Sequence, residues 1–206
     1  MDDREERTVF DVLEEKHPSA RPADEEALVT TTEDPPEVQP IIFQSLTGAQ
    51  IRKAALRIQG SAGPSGVDAI GWRRLCTGFK RESNDLCEAI AAVGRRLCSD
   101  LVDPRSLQAL PACWLIPVNK NPGVRPIGVC EVIRRILGKA ILSVVKQDVV
   151  AATGPLQLAG GLDGGCEAAV HGMNALFEKE ETEALMFVDA ENSFNNLNRR
   201  VALWNI

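Results

Sequence analysis

The sequence predicts an α+β fold in which helices outnumber strands. Segments with apolar residues at helical spacing recur between about residues 47 and 178. Two short apolar runs flank an Asn-Pro-Gly turn near residue 122, which is typical of a hairpin. A further apolar run, residues 185–188, leads into Asp189 and indicates a strand that is buried on both faces.

Composition is that of a globular protein. Of the 206 residues, 44% are hydrophobic and 25% are charged, and no run approaches the ~18 apolar residues that a membrane span needs. The acidic N-terminus has no apolar core, so neither a secretory signal nor a mitochondrial presequence is predicted. The six cysteines form no Cys-x-x-Cys pair and only two His are present. We therefore expect reduced core thiols in an intracellular protein, nuclear or cytoplasmic, rather than a zinc site.

Charge divides the chain into an acidic leader, residues 1–40, and a body, residues 41–206. The leader holds 13 Asp or Glu against 4 Lys or Arg, a net charge of −9, and the body holds the other 16 acids and 19 bases, a net charge of +3. The leader is poor in apolar residues, so we expect it to be mostly disordered, with one short helix around residues 9–15. The mildly basic body permits a nucleic-acid partner but does not demand one.

Helices are predicted in the first half of the body. Thr47 is placed to cap a helix that ends at Arg57, and Asp68 is placed to open a second, short helix. A longer helix is predicted from about residue 84 to residue 98, with its apolar stripe in the core. A glycine-rich loop, residues 60–68, lies between the first two helices. Its glycines and proline indicate special backbone angles or a close approach of two backbones. The alternative is a plain linker.

The predicted hairpin, about residues 113–129, carries two cations. Because proline cannot donate to a ladder, Pro117 and Pro126 predict that both strands are edge strands. Lys120 and Arg125 lie at or near the turn. Both can bind one polyanionic ligand, Arg through its guanidinium fork and Lys as a point charge. The alternative is two solvated surface cations.

The second half of the body predicts a strong helix over about residues 131–150, then a glycine loop and a helix over about residues 166–178. A glycine loop at a helix N-terminus either binds phosphate or forms a flexible turn. Asp189 is either a metal ligand at the end of its strand or the cap of the next element. A short apolar run such as residues 185–188 can also be a buried helix segment. A last helix is predicted from about residue 195 to residue 206.

In this order, the features resemble the fingers and the first part of the palm of reverse transcriptases, most closely those of non-LTR retrotransposons. The resemblance covers about residues 60 to 200. It rests on four segments: Gly63-Pro64-Ser65-Gly66, Lys120 with Arg125-Pro126-Ile127, Gln157 with Gly160-Gly161, and Phe187-Val188-Asp189 through Phe194.

The resemblance implies a partial right-hand polymerase fold, with helix-rich fingers, an edge hairpin and the start of an antiparallel palm sheet. Its implied partners are an RNA template, a DNA primer and dNTPs, and its implied cofactor is magnesium (Mg²⁺). The implied roles are triphosphate binding by Lys120 and Arg125, Mg²⁺ binding by Asp189 and the carbonyl of Ala190, screening of the sugar 2′-hydroxyl by Phe194, and contacts to template and primer by Gln157, Gly160 and Gly161.

One feature of the family is missing from the 206 residues. Two-metal phosphoryl transfer needs several carboxylates, but the only Asp-Asp pair is Asp2-Asp3 in the leader. We therefore expect the front part of an RNA-directed DNA polymerase, without the rest of the palm and the thumb, and inactive as this chain alone. Two alternatives remain. One is a non-catalytic nucleic-acid-binding or interaction module, and the other is a haloacid-dehalogenase-type phosphatase, which needs a second Asp where Glu191 stands.

Overall fold

The computed structural model describes residues 8–17, 19, 21–22, 41–120, 123–153, 157–158, 163–179, 181–184, 186–189, 192–198 and 201. The helices in these ranges are α1 (Val9–Glu15), α2 (Ile41–Gln44), α3 (Gly48–Arg57), α4 (Ala69–Thr77), α5 (Arg81–Ser99), α6 (Val132–Thr153), α7 (Gly165–Phe177) and α8 (Ser193–Asn196). Strands β1 (Cys113–Asn119) and β2 (Val124–Cys130) form a two-stranded antiparallel sheet. The α+β class is confirmed at this level.

The chain forms two compact units. One comprises Gln39–Trp114 and Val129–Met186 and contains the helices α2 to α7. The other comprises Met1–Val38, Leu115–Gly128 and Phe187–Ile206, and contains α1, α8 and most of the hairpin. None of the described helices is both long enough and apolar enough to cross a membrane.

Four helices of the first unit, α3 to α6, build its hydrophobic core. Each of these helices packs against the other three, and α3 has the most extensive contacts within the group. The apolar face of α3, which includes Ile51 and Ala55, is buried in the core. The buried apolar residues of the core are Leu46, Ile51, Ala54, Ala55, Ile58, Ala69, Cys76, Cys87, Ile90, Ala91, Val132, Ile136, Leu137 and Ala140.

The helix starts follow local sequence signals. Thr47 and Gln50 form a capping box at the start of α3, and the Asp68 side chain accepts a hydrogen bond from the Gly71 N–H at 2.7 Å at the start of α4. Helix α1 begins with a capping box between Thr8 and Asp11. The helices predicted around residues 9–15, 47–57 and 68 onward are therefore confirmed. Their starts are predictable from the sequence because a cap acts within the first turn of its helix.

Helix α5 turns its apolar stripe to the core as predicted, for example at the buried Ile90, except at Val93. Val93 is 51% exposed, whereas Ala91 and Gly94 are buried. A Cβ atom at Gly94 would lie 2.7 Å from Leu46 Cδ2 and 3.2 Å from Leu137 Cδ2. The small residues therefore let the core approach α5 closely, and this contact turns Val93 to solvent.

The cysteines divide into two groups. Cys76 and Cys87 are fully buried, as expected for core thiols, whereas Cys113 and Cys166 are exposed. The prediction of core thiols is therefore wrong for Cys113 and Cys166, since β1 and α7 lie outside the helical core. All six cysteines are free thiols in this structure.

The buried strand predicted before Asp189 is not found, and that prediction is wrong for residues 186–188. Met186, Phe187 and Val188 have no regular secondary structure and are 80–85% exposed. A strand needs a neighbour for its backbone hydrogen bonds, and the two strands in the described part of the chain pair only with each other. The implied start of a palm sheet is therefore absent there. The last predicted helix is represented by α8 and Val201, and residues 202–206 lie outside the described ranges.

Candidate nucleic-acid interface

The start of α6 holds the glycine-rich loop through a buried carboxylate. Glu131 directly precedes α6 and is 7% exposed. Its carboxylate accepts hydrogen bonds from the Ser65 N–H at 2.6 Å and from the Ser65 hydroxyl at 2.7 Å. One turn later, Arg135 donates to the carbonyls of Gln59 at 2.8 Å and Ser61 at 2.5 Å. Glu131, directly before α6, and Arg135, in its first turn, therefore fix both halves of the loop.

Glycines let the loop follow this path. A Cβ atom at Gly63 would lie 2.7 Å from the Glu131 backbone nitrogen, so the two backbones touch. Gly60 and Gly66 have φ of +103° and +77°, which L side chains rarely adopt. The expectation of special backbone angles and close backbone approach is confirmed, so the loop is not a plain linker.

The register of the hairpin follows from its strand bounds and its turn. Each strand has seven residues, and the Lys120 N–H donates to the Gly123 carbonyl at 2.9 Å. Lys120 and Gly123 therefore form the hydrogen-bonded pair that closes the turn. Because antiparallel pairs alternate between hydrogen-bonded and non-hydrogen-bonded types, Val118 faces Arg125 in a pair of the first type.

The next non-hydrogen-bonded pair of the ladder consists of two prolines. Pro117 faces Pro126, and in a non-hydrogen-bonded pair each backbone nitrogen points to the outer edge of the ladder. Proline has no N–H, so both outer edges lack a donor at this level and oppose the addition of a third strand. The prediction that both strands are edge strands is confirmed.

Lys120 and Arg125 lie on one face of the hairpin. Side chains alternate along a strand, so Lys120 shares its face with Val118, whose partner is Arg125. The two cations are therefore diagonal neighbours, about 7–8 Å apart. Both are exposed, and neither has an ion-pair partner within the described ranges. The next pair on this face, Ile116 with Ile127, is 45% and 41% exposed.

The other predicted site residues are placed as follows. Asp189 is exposed and belongs to the unit that contains Lys120 and Arg125, and Gln157 is exposed in the other unit. Phe194 falls in α8, where the structure describes its backbone. Gly160, Gly161 and Ala190 lie outside the described residues.

The described residues do not form a magnesium site. Mg²⁺ takes oxygen ligands in near-octahedral geometry, usually one or two carboxylates with waters and phosphates. Asp189 supplies a single exposed carboxylate, and the described ranges contain no group of three or more His, Cys, Asp or Glu that could hold a metal ion. The two-metal centre that the resemblance implies therefore does not fit these residues alone.

Two contacts close to Asp189 were not predicted from the sequence. The Asn192 side-chain amide donates to the Lys16 carbonyl at 3.0 Å, and the Asn198 amide donates to the Arg21 carbonyl at 3.2 Å. Asn192 also has φ of +50°, which Asn tolerates better than most residues. The asparagines within residues 192–198 are the one feature of the sequence that indicates such contacts. They do not indicate that the acceptors are carbonyls of the leader.

Comparisons with protein-family models, curated proteins and solved structures found no match. Function is therefore inferred from the residues of this chain. Its most complete feature is the tip of the hairpin, where Lys120 and Arg125 share an exposed face. Such a face can bind a polyanion such as a triphosphate or a nucleic-acid backbone.

Proposed function

We propose that this chain forms the fingers and the first part of the palm of a reverse transcriptase of the non-LTR retrotransposon type. The observation that carries the proposal is the placement of exposed Lys120 and Arg125 on one face of an edge hairpin, next to its turn. The same cations belong to the sequence resemblance. A tight loop at residues 60–66 precedes the hairpin in the chain, and core helices lie before and after the hairpin, in the order that the resemblance requires.

In this proposal the hairpin face binds the triphosphate of an incoming dNTP. Arg125 directs several N–H donors at phosphate oxygens, and Lys120 adds a point charge. Exposed apolar side chains of Ile116, Val118 and Ile127 line the same face, so the cations stand at the edge of a surface of low polarity. An RNA template and a DNA primer are the further partners, through Gln157, Gly160 and Gly161, and Phe194 lies against the sugar.

Catalysis belongs to the complete enzyme. Asp189 and the Ala190 carbonyl are its proposed share of the Mg²⁺ site, and the other carboxylates come from a further palm segment. The 206-residue chain given primer, template, dNTPs and Mg²⁺ should show no more extension than its Asp189→Asn variant. Extension that disappears in the variant would show that the chain needs no further carboxylates.

A second candidate is a nucleic-acid-binding module that performs no chemistry. The observation that favours it is the exposure of Asp189 on a segment without regular structure, while the cationic hairpin is fully formed. This candidate still binds nucleic acid but does not catalyse nucleotidyl transfer. A positive binding result combined with no activity after addition of the palm segment would favour it.

The second candidate is tested by binding to single-stranded RNA across a salt series, because the first candidate assigns the hairpin cations to the triphosphate of a dNTP instead. The test variant is Lys120→Ala with Arg125→Ala. The matched control is Lys53→Ala with Arg57→Ala, which removes the same charge from exposed positions on α3. If each hairpin cation contacts one phosphate, the slope of log K against log salt should fall by about 1.4 in the test variant, at about 0.7 per contact. Equal slopes in both variants would contradict RNA-phosphate contacts by the hairpin, and with them the second candidate.

A further inference from the structure

We propose that Cys113 and Cys130 form a disulfide across the base of the hairpin when a hydroperoxide oxidises them. Cys113 is the first residue of β1, and Cys130 is the last residue of β2. The register that pairs Lys120 with Gly123 and Pro117 with Pro126 also places Cys113 opposite Cys130. This inference does not depend on the proposed function.

The type of pair suits a disulfide. Pair types alternate along the ladder, so Cys113 and Cys130 form a non-hydrogen-bonded pair, like Pro117 and Pro126. In such pairs the Cα atoms are about 4.5 Å apart, and the side chains leave the sheet on the same face. Disulfides span Cα separations of about 4.4–6.8 Å. The backbone therefore already provides the separation that the bond needs.

Access separates these two thiols from Cys76 and Cys87, and their facing positions in the ladder separate them from the remaining cysteines. Cys113 is exposed and Cys130 is half-buried, whereas Cys76 and Cys87 are closed to solvent. The Arg134 guanidinium donates to the Cys130 sulfur at 3.5 Å, which holds that sulfur beside the first turn of α6. A soluble oxidant can therefore reach Cys113, and the second sulfur is held nearby.

The chemistry is a two-electron oxidation with two steps. The Cys113 thiolate attacks the O–O bond of hydrogen peroxide, so an S–O bond forms, the O–O bond breaks, and hydroxide leaves and takes up a proton as water. The Cys130 sulfur then attacks the sulfenic acid on Cys113. The S–S bond forms, the S–O bond breaks, and a second water leaves with the Cys130 proton. Two thiols are oxidised, and one peroxide is reduced to two waters.

The consequence is confined to the hairpin. The new bond closes the segment from residue 113 to residue 130 and locks the register of the two strands at the end opposite the turn. Lys120 and Arg125 remain free at the turn, while the base of the hairpin can no longer separate. Oxidised chain should therefore be cut more slowly than reduced chain by a protease that cleaves after Lys120.

The test is peptide mapping of the full chain after treatment with hydrogen peroxide and alkylation of the remaining thiols. We expect the main cross-linked peptide to join Cys113 with Cys130. Cys130→Ser should stop the reaction at a sulfenic acid on Cys113, which dimedone traps. The matched control, Cys166→Ser, removes an exposed thiol from α7 and should leave the cross-link intact.

The rate of cross-link formation gives a second readout, which needs no substitution in the chain. The cross-link should form about tenfold faster or more in the folded chain than in urea, because the folded hairpin holds the two sulfurs together. Equal rates in folded and unfolded chain, or a main cross-link between Cys113 and Cys166, would overturn the proposal.

Discussion

The Glu131 carboxylate accepts two hydrogen bonds from Ser65, one from the backbone N–H at 2.6 Å and one from the hydroxyl at 2.7 Å. The two residues are 66 positions apart in the chain. A buried carboxylate is stable only where protein donors replace the water that it has lost. This pair therefore ties the glycine-rich loop to the start of α6, at the residue that follows β2.

Loss of this carboxylate should destabilise the fold. We expect Glu131→Ala to lower the free energy of unfolding by about 1–3 kcal/mol, because the Ser65 N–H loses its acceptor. Ser65→Ala keeps the backbone bond to Glu131 and removes two weaker or neutral contacts of the hydroxyl, to Glu131 and from the Val67 N–H at 3.3 Å, so it should cost less. Urea unfolding measures both, and Glu183→Ala, at an exposed carboxylate, should change the value by less than about 0.5 kcal/mol. Strictly additive losses in the double variant would contradict a coupled pair.

Arg135 should not be replaceable by Lys. Its two terminal nitrogens reach the Gln59 and Ser61 carbonyls, and a Lys ammonium keeps the charge without the fork. We expect Arg135→Lys to lower the free energy of unfolding by about 1 kcal/mol, the net value of one hydrogen bond. The control is Arg134→Lys, at the exposed neighbour on the same helix. An equal loss in both variants would show that the fork is not needed.

The Cys76 thiol should make stability fall at alkaline pH. Burial, with a smaller contribution from the adjacent Cys87, raises the pKa of Cys76 from 9.0 to about 12. Between about pH 9 and pH 12 the unfolded chain loses this proton and the folded chain keeps it, so the free energy of unfolding falls as pH rises. Below pH 9 both states hold the proton, and nothing is lost.

This dependence can be isolated with Cys76→Ala. The variant should be less stable than the natural chain at pH 8 because it leaves a small cavity. At pH 10 the difference between the two chains should narrow by about 1 kcal/mol, since one unit of titration corresponds to about 1.4 kcal/mol. Urea unfolding at both pH values measures the difference. A constant difference would mean that the folded chain does not hold the Cys76 proton.

The acidic leader should weaken binding to nucleic acid. Changing six of its acids to the matching amides brings its net charge from −9 to −3 and keeps α1 intact. The six positions are Asp24, Glu25, Glu26, Glu33, Asp34 and Glu37. We expect tighter RNA binding at low salt. Near 1 M salt the affinities should not differ, because the Debye length is then about 3 Å and the charges are screened from each other.

A leader in which residues 23–38 are shuffled is the control for this prediction, because it keeps the charge and changes the order. Binding that stays the same after neutralisation at low salt would rule out an electrostatic effect of the leader. Binding that changes equally in the shuffled chain would instead indicate a sequence-specific contact.

The polymerase proposal predicts different defects at Arg125 and Phe194 once the chain is fused to the remaining palm and thumb of a related polymerase. Arg125→Ala should lower efficiency with both ribonucleotides and deoxyribonucleotides by roughly ten- to a hundredfold, since a charged hydrogen bond is worth about 1.5–3 kcal/mol. Phe194→Ala should raise ribonucleotide use relative to deoxyribonucleotide use. Steady-state kinetics with both sugars measures these effects, and an unchanged sugar ratio in Phe194→Ala would exclude the proposed role of the ring.

Local interactions made much of this fold predictable from the sequence. The caps at Thr47 and Asp68 act within one turn of their helices, and the hairpin follows from a turn between two apolar runs. The prolines of the hairpin were sufficient to predict two edge strands. For the candidate site, the sequence indicated Lys120 and Arg125, while their common face required the register of the ladder.

The tertiary structure decided what depends on distant partners. The run of residues 185–188 has the composition of a buried strand, yet residues 186–188 are exposed, because apolar composition does not supply a neighbouring strand. The sequence predicts that a helix starts at Glu131. Only the folded chain brings Ser65 to the carboxylate of this residue. By itself, then, the sequence determined the elements whose hydrogen bonds close within a few residues. Burial, and hydrogen bonds between residues far apart in the chain, were decided by packing.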